Sequence, residues 1–114
     1  AEVAALKITK SYNIRMAALY VVNVPSTSEQ AELIKYGEKV LEEVAQDGKK
    51  MGIEVQKILK LGSSSETIMN VAKSLKVHTI VIGSEGKKGL KRVLLGSVAE
   101  NVVRNADCTV LVAR

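Results

Sequence analysis

The residues with the strongest claim to chemistry lie in one stretch, Gly83-Ser84-Glu85-Gly86-Lys87-Lys88-Gly89-Leu90-Lys91-Arg92-Val93-Leu94-Leu95-Gly96-Ser97, which follows an apolar run and precedes a helical one. Its spacing is G-x2-G-x9-G-S. Gly83 and Gly86 permit backbone conformations and close approaches that a Cβ would obstruct, so the local amides can be aimed at one ligand. Gly96 and Ser97 open a helix whose unpaired N–H groups and positive dipole end attract anions, and the Ser97 hydroxyl adds a donor. The chemistry this outlines is a phosphate cradle. It is neither the Walker loop, which needs Gly-Lys followed directly by Ser or Thr, nor the G-x-G-x-x-G dinucleotide fingerprint. Glycines also serve ordinary turns and serine is a routine helix cap, so loop composition alone leaves a purely structural reading open.

No other group of residues competes with this loop. His78 precedes a strand and has no Ser, Cys or metal-ligand partner at informative spacing, which reads as a surface or capping histidine. Cys108 stands beside Asp107 at the start of the last strand, where a packed thiol is the default. Asp47, Glu66, Glu85, Glu100 and Asp107 form no recognisable acid pair, and no nucleophile has a base beside it. Lys87, Lys88, Lys91 and Arg92 could draw an anion in, although a charge run is more often a solvated face. Micromolar affinity needs about 8 kcal/mol and each hydrogen bond to a charged phosphate contributes about 1.5–3 kcal/mol, so a phosphate cradle alone binds weakly.

Four strands must position the loop: Met16 to Val22, Ile53 to Leu59, Thr79 to Ile82 and Thr109 to Val112, short runs rich in β-branched residues. Three are apolar nearly throughout, which suits parallel strands covered on both faces, whereas the second partly alternates and belongs at an edge. Between them lie amphipathic segments. From Ser28 to Met51 the apolar residues Leu33, Ile34, Val40, Leu41, Val44 and Ala45 recur at helical spacing, with Gly48 and Gly52 at the end. A second helix runs from Ser65 to Leu75 with Ile68, Val71, Ala72 and Leu75 on one stripe, and a third starts at Gly96-Ser97 with Val98, Val102, Val103 and Ala106 on its face. The alternation of strand and helix predicts a doubly wound α/β domain with a parallel sheet. Ala1 to Lys10 reads as a helix with Val3, Ala4, Ile8 and then Tyr12 on one face, entered without a cap or a preceding strand, so one strand is expected before Ala1.

The composition sets bounds on function. The chain of 114 residues is sized for one domain, 1–114, and not for a two-domain enzyme; 46% hydrophobic and 25% charged residues fit a packed globule. Aromatic residues amount to 3%, three Tyr with no Trp or Phe, which argues against nucleic acid held by base stacking. A net charge of +5 favours anionic partners, phosphate first. One Cys and one His cannot build the usual zinc sets or an internal disulfide. No run is apolar enough to span a bilayer and no signal-peptide pattern opens the sequence, so the expectation is a soluble cytoplasmic protein with no membrane partner.

The stretch "TIVIGSEGKKGLKRVLLGSVAENVVRNADCTVLVAR" resembles the C-terminal half of the universal stress protein family, whose ATP-binding members carry G-x2-G-x9-G-[ST] in this context; "AALYVVNVP" and "LKLGSSSETIMNVAKSLKV" extend the likeness over essentially the whole chain. The resemblance implies an adenine nucleotide alpha hydrolase-like fold, three α/β/α layers around a parallel sheet of order 3-2-1-4-5, with the first, central strand lying before Ala1. It implies that Ile82, Gly83, Gly86, Gly96, Ser97 and Val98 line the ribose and phosphates, and that the backbone of Val21 meets the adenine. The ligand implied is ATP, ADP or AMP, with Mg2+ accompanying a triphosphate. The family's acidic residue at the end of its first strand has no counterpart here, and Ala99 stands where some ATP binders carry a hydroxyl. The resemblance further implies a homodimer through the last strand, at Val110, Leu111 and Val112. The function expected is an adenine-nucleotide-binding sensor or regulator in stress response, not an enzyme, with slow ATP hydrolysis left open. The alternatives are a homodimeric scaffold that binds no nucleotide and an ATP-hydrolysing enzyme of related fold.

Overall fold

The structure is a computed structural model that describes residues 2–12, 15–25, 27–83 and 96–113. The elements run α1 (Glu2–Tyr12), β1 (Met16–Val22), α2 (Thr27–Lys50), β2 (Val55–Leu61), α3 (Ser64–Leu75), β3 (Thr79–Gly83), α4 (Ser97–Asn105) and β4 (Thr109–Ala113). The chain divides into two compact units, Glu2–Ser64 and Ser65–Arg114. All observed strand pairing is parallel, as expected for an α/β domain. β1 pairs with β2 from Met16↔Val55 to Val22↔Leu61, and β3 pairs with β4 from Thr79↔Thr109 to Gly83↔Ala113. These pairings are the two outer neighbour pairs of the expected order.

In the first unit α2 packs on both β1 and β2. Glycine makes that approach possible. A Cβ on Gly37 would run into Cδ1 of Tyr20 and lie 2.9 Å from its Cε1 and 3.0 Å from Cδ1 of Leu59, so the helix rests its backbone directly on the strand side chains. The Tyr20 ring continues edge-on to Tyr36, with centroids 6.1 Å apart and planes at 63°. Gly48 likewise forms a notch, since its Cβ would lie 2.6 Å from Cγ2 of Val55 and 3.6 Å from Cδ2 of Leu6. Leu6, Val22, Leu41 and Ile53 are buried around this contact.

That notch reassigns the face of α1. Val3 is 64% exposed, whereas Leu6 and Thr9 are each only 5% exposed. Leu6 fits beside the missing Cβ of Gly48, and the Thr9 hydroxyl is satisfied by donating to the Ala5 carbonyl at 2.8 Å, which lets a polar residue face inward. Lys10 ties the same helix to the end of α2 by donating to the Met51 carbonyl at 3.1 Å.

The second strand begins two residues later than its apolar run predicts, at Val55 rather than Ile53. Ile53 is taken by the helix end. Gly52, at φ +74°, donates to the Lys49 carbonyl at 3.1 Å, and Ile53 donates to Gly48 at 2.8 Å, the two bonds of a Schellman termination with its apolar plug. α3 ends the same way without a glycine: Lys76, at φ +54°, donates to Lys73 at 3.2 Å and Val77 to Ala72 at 3.0 Å.

In the second unit Val102 is fully buried and Ala99 is 3% exposed, while Val103 is 43% exposed. The inward stripe of α4 is therefore Ala99 and Val102 with Val98 and Ala106 half-buried, and Val103 does not belong to it. β1 and β3 carry consecutive half-buried residues, as strands covered on both faces should, but β4 alternates, and Leu111 on its open face is 39% exposed.

Candidate functional site

The site is built on the β3–α4–β4 unit. Parallel pairing of β3 with β4 requires α4 to run back along the strands, so its first turn lies at the edge where β3 ends at Gly83. Ile82 is half-buried within β3 opposite Val112, and Gly83 closes the strand opposite Ala113. Gly86 lies outside the described residues, as do Glu85 and the basic residues Lys87, Lys88, Lys91 and Arg92.

Gly96 is the N-cap of α4, at φ −61° and ψ 156°, and among the described residues no side chain caps the helix there. This is ordinary extended backbone open to any residue, so Gly96 is not present for a special conformation. What glycine supplies is the absence of a side chain in front of the helix. The Gly96 carbonyl accepts the first helical bond from Glu100 at 2.9 Å, which leaves the amides of Ser97, Val98 and Ala99 ahead of the ladder. Ser97 is exposed, Val98 half-buried and Ala99 buried, so the hydroxyl stands toward solvent beside those amides. An anion with several acceptor oxygens fits this donor set. Ala99 has no hydroxyl to add to it.

The acid in this first turn is neutralised locally. Arg104 donates to Oε1 of Glu100 through Nε at 3.2 Å and Nη2 at 2.9 Å, which reduces its repulsion of an arriving phosphate. The i,i+4 spacing of Glu100 and Arg104 in the sequence is what brings this pair together. Asn101 fixes the following turn by donating to Oγ of Ser65 on α3 at 3.1 Å.

Val21 sits in the other unit, half-buried in the penultimate position of β1 opposite Lys60. The next residue, Val22, is 2% exposed and its carbonyl accepts from Gly62 at 3.0 Å, which anchors the strand's exit.

Among the described residues, the titratable groups with clear shifts all belong to the Glu2–Ser64 unit. A hydrogen bond with Asp47 raises the Glu2 carboxyl above its usual range, helped by burial and by the Asp47 charge. This carboxyl pair escaped the sequence because it joins α1 to the far end of α2. Burial pushes the Tyr20 phenol up, and the neighbouring Tyr36 adds to it. The Lys57 ammonium, 2.6 Å from Oε2, and Gln46 hold exposed Glu42 below the usual carboxylate range. His78 is exposed, with Nδ1 2.9 Å from Oγ1 of Thr79, and Cys108 is a half-buried free thiol. No group of three or more His, Cys, Asp or Glu side chains among the described residues could hold a metal ion.

Parallel strand pairs joined by helices, with a helix start at a strand's carboxyl edge, define a parallel α/β domain. The chain matches the Universal stress protein family over residues 2–114 and belongs to that family. It is 35% identical over 120 residues to the universal stress protein MJ0531 of Methanocaldococcus jannaschii, covering 96% of this chain and 71% of that protein. The chain spans only 56% of a relative from Bacillus subtilis, YxiE, and 51% of another from M. jannaschii, MJ0577. The solved structure of MJ0577 superposes with a TM-score of 0.80 at 28% identity, covering 96% of this chain and 85% of that one. A universal stress protein from Archaeoglobus fulgidus solved with dAMP superposes with a TM-score of 0.79 at 18% identity, covering 99% and 84%; others of the same fold were solved with cAMP and, from Arabidopsis thaliana, with AMP. These neighbours share the adenine nucleotide alpha hydrolase-like α/β fold.

Proposed function

We propose that this protein is an adenine-nucleotide-binding regulatory module, in which the first turn of α4 receives the phosphates. The observation that carries the reading is the uncapped helix start at Gly96, with the Ser97 hydroxyl exposed beside it, at the edge where β3 ends. The dAMP, AMP and cAMP held by proteins of this fold support the choice of adenine. Ile82, Gly83 and Val98 complete the phosphate and ribose side of this unit. With ATP as ligand, Mg2+ binds chiefly through the phosphates and water. The role is chiefly binding, with slow hydrolysis of a bound triphosphate as at most a side activity. The protein acts in the cytoplasm as a homodimer formed through β4, a largely apolar strand on which Leu111 is 39% exposed.

Titration calorimetry with AMP, ATP and cAMP on the protein and its Gly96→Val variant tests this. The backbone at Gly96 accepts valine without strain, so the variant should fold normally and bind at least tenfold more weakly, about 1.4 kcal/mol. Equal affinity in both proteins, or no heat with any nucleotide at millimolar concentration, overturns the proposal.

A further inference from the structure

A cavity lies at the opposite end of β3 from Gly83 and belongs to no part of the nucleotide reading. Its volume is about 350 Å³, and Lys73, Lys76, Met69, Val77 and Ile80 are among its walls. That volume is within the range of small-molecule sites. The wall chemistry is lopsided. Lys73 in the last turn of α3 and Lys76 in the turn that ends it both line the cavity, and among the described residues Asp107 is the only acid that does. Among the described residues neither lysine is in an ion pair. The cavity thus carries one uncompensated positive charge beside an apolar wall.

Lys76 supplies an independent sign. It occupies the position of the Schellman turn where glycine is the default, and it does so at φ +54°, a conformation that penalises any side chain. A backbone outlier of this kind, lining a cavity, points to a side chain with work to do there. The negative end of the α3 dipole opposes an anion, but it amounts to about half a charge. Two ammonium groups in direct contact outweigh it.

We propose that this cavity binds a small organic monoanion, a carboxylate with an apolar tail, with Lys73 and Lys76 on the carboxylate and Met69, Val77 and Ile80 around the tail. Lysine suits this role because its compact charge needs no planar, bidentate partner. The site is separate from the α4 helix start, so it stands whether or not nucleotide binds there.

The test is a titration of the full chain with hexanoate, with hexanol at equal concentration as the neutral control, followed by amide chemical shifts. Hexanoate should give saturable shifts at Lys73, Lys76, Val77 and Asp107, hexanol none, and Lys73→Ala/Lys76→Gly should weaken hexanoate at least tenfold. The Lys76→Gly change keeps the helix end intact, so an unchanged dispersed spectrum verifies that the variant is folded; a variant that unfolds is replaced by Lys73→Gln/Lys76→Gly, judged by the same tenfold criterion. Absence of saturable shifts, equal response to hexanol, or undiminished binding by the folded variant overturns the proposal. Inorganic phosphate as a second probe separates simple anion attraction from recognition of the tail: phosphate binding as tightly as hexanoate also overturns it.

Discussion

α2 and α3 end in the same hydrogen-bonded turn, but one places glycine and the other lysine in the left-handed position, and opposite substitutions there should have opposite effects. Gly52 lies at φ +74°, and the nearest atom to a Cβ built on it is Nζ of Lys10 at 3.9 Å, so Gly52→Ala meets backbone strain and no collision. An L-residue in the left-handed region costs about 1–2 kcal/mol, while the stiffer unfolded chain of alanine returns about 0.4–1 kcal/mol. The net expectation is a loss of about 1 kcal/mol. For Lys76, at φ +54° and exposed, the same terms reverse, and Lys76→Gly should gain about 0.5–1 kcal/mol because little packing is lost. Urea titration followed by circular dichroism reads both as shifts of midpoint at constant slope, and thermal scans should move by about 4 °C per kcal/mol. A stabilised Gly52→Ala, or a Lys76→Gly that unfolds earlier than the parent, would refute the reasoning.

Gly48→Ala should destabilise by about 1–3 kcal/mol through overpacking, because its Cβ would lie 2.6 Å from Cγ2 of Val55 and 3.2 Å from the Ile53 carbonyl, and a neutral result in urea titration would show that β2 yields freely. Val102, fully buried, should cost about 2 kcal/mol on truncation to Ala, whereas Val103→Ala, at 43% exposure, should cost far less; equal losses would mean that α4 is turned differently. Glu2 is raised by its hydrogen bond to Asp47, so the folded state holds that proton more tightly than the unfolded state does. Its contribution is complete below the unfolded value and is lost as pH rises through the folded one. Glu2→Gln should therefore flatten the stability profile across that window, and an unchanged profile would exclude the pair as its source.

Much of the fold was legible because the strands are short apolar runs and α2 is long and amphipathic. The end of β3 and the start of α4 were found through Gly83, Gly96 and Ser97. Misreadings arose where a residue was used by a neighbour remote in sequence or by a turn. Ile53 looks like strand but plugs the end of α2, and Val3 looks like core until Gly48 provides a notch for Leu6. Lys76 carried no signal at all, since a lysine in the left-handed conformation is indistinguishable by residue type from any exposed lysine. At the site, the sequence located the helix start at Gly96-Ser97, and the structure adds that Gly96 caps it in ordinary extended backbone.

The central claim is that the amides of Ser97, Val98 and Ala99 hold a phosphate. Amide chemical shifts during titration with AMP and with adenosine test it most directly. The account predicts saturable downfield shifts at these three amides with AMP and not with adenosine. Binding of AMP that leaves them unmoved, or an equal response to adenosine, would contradict it.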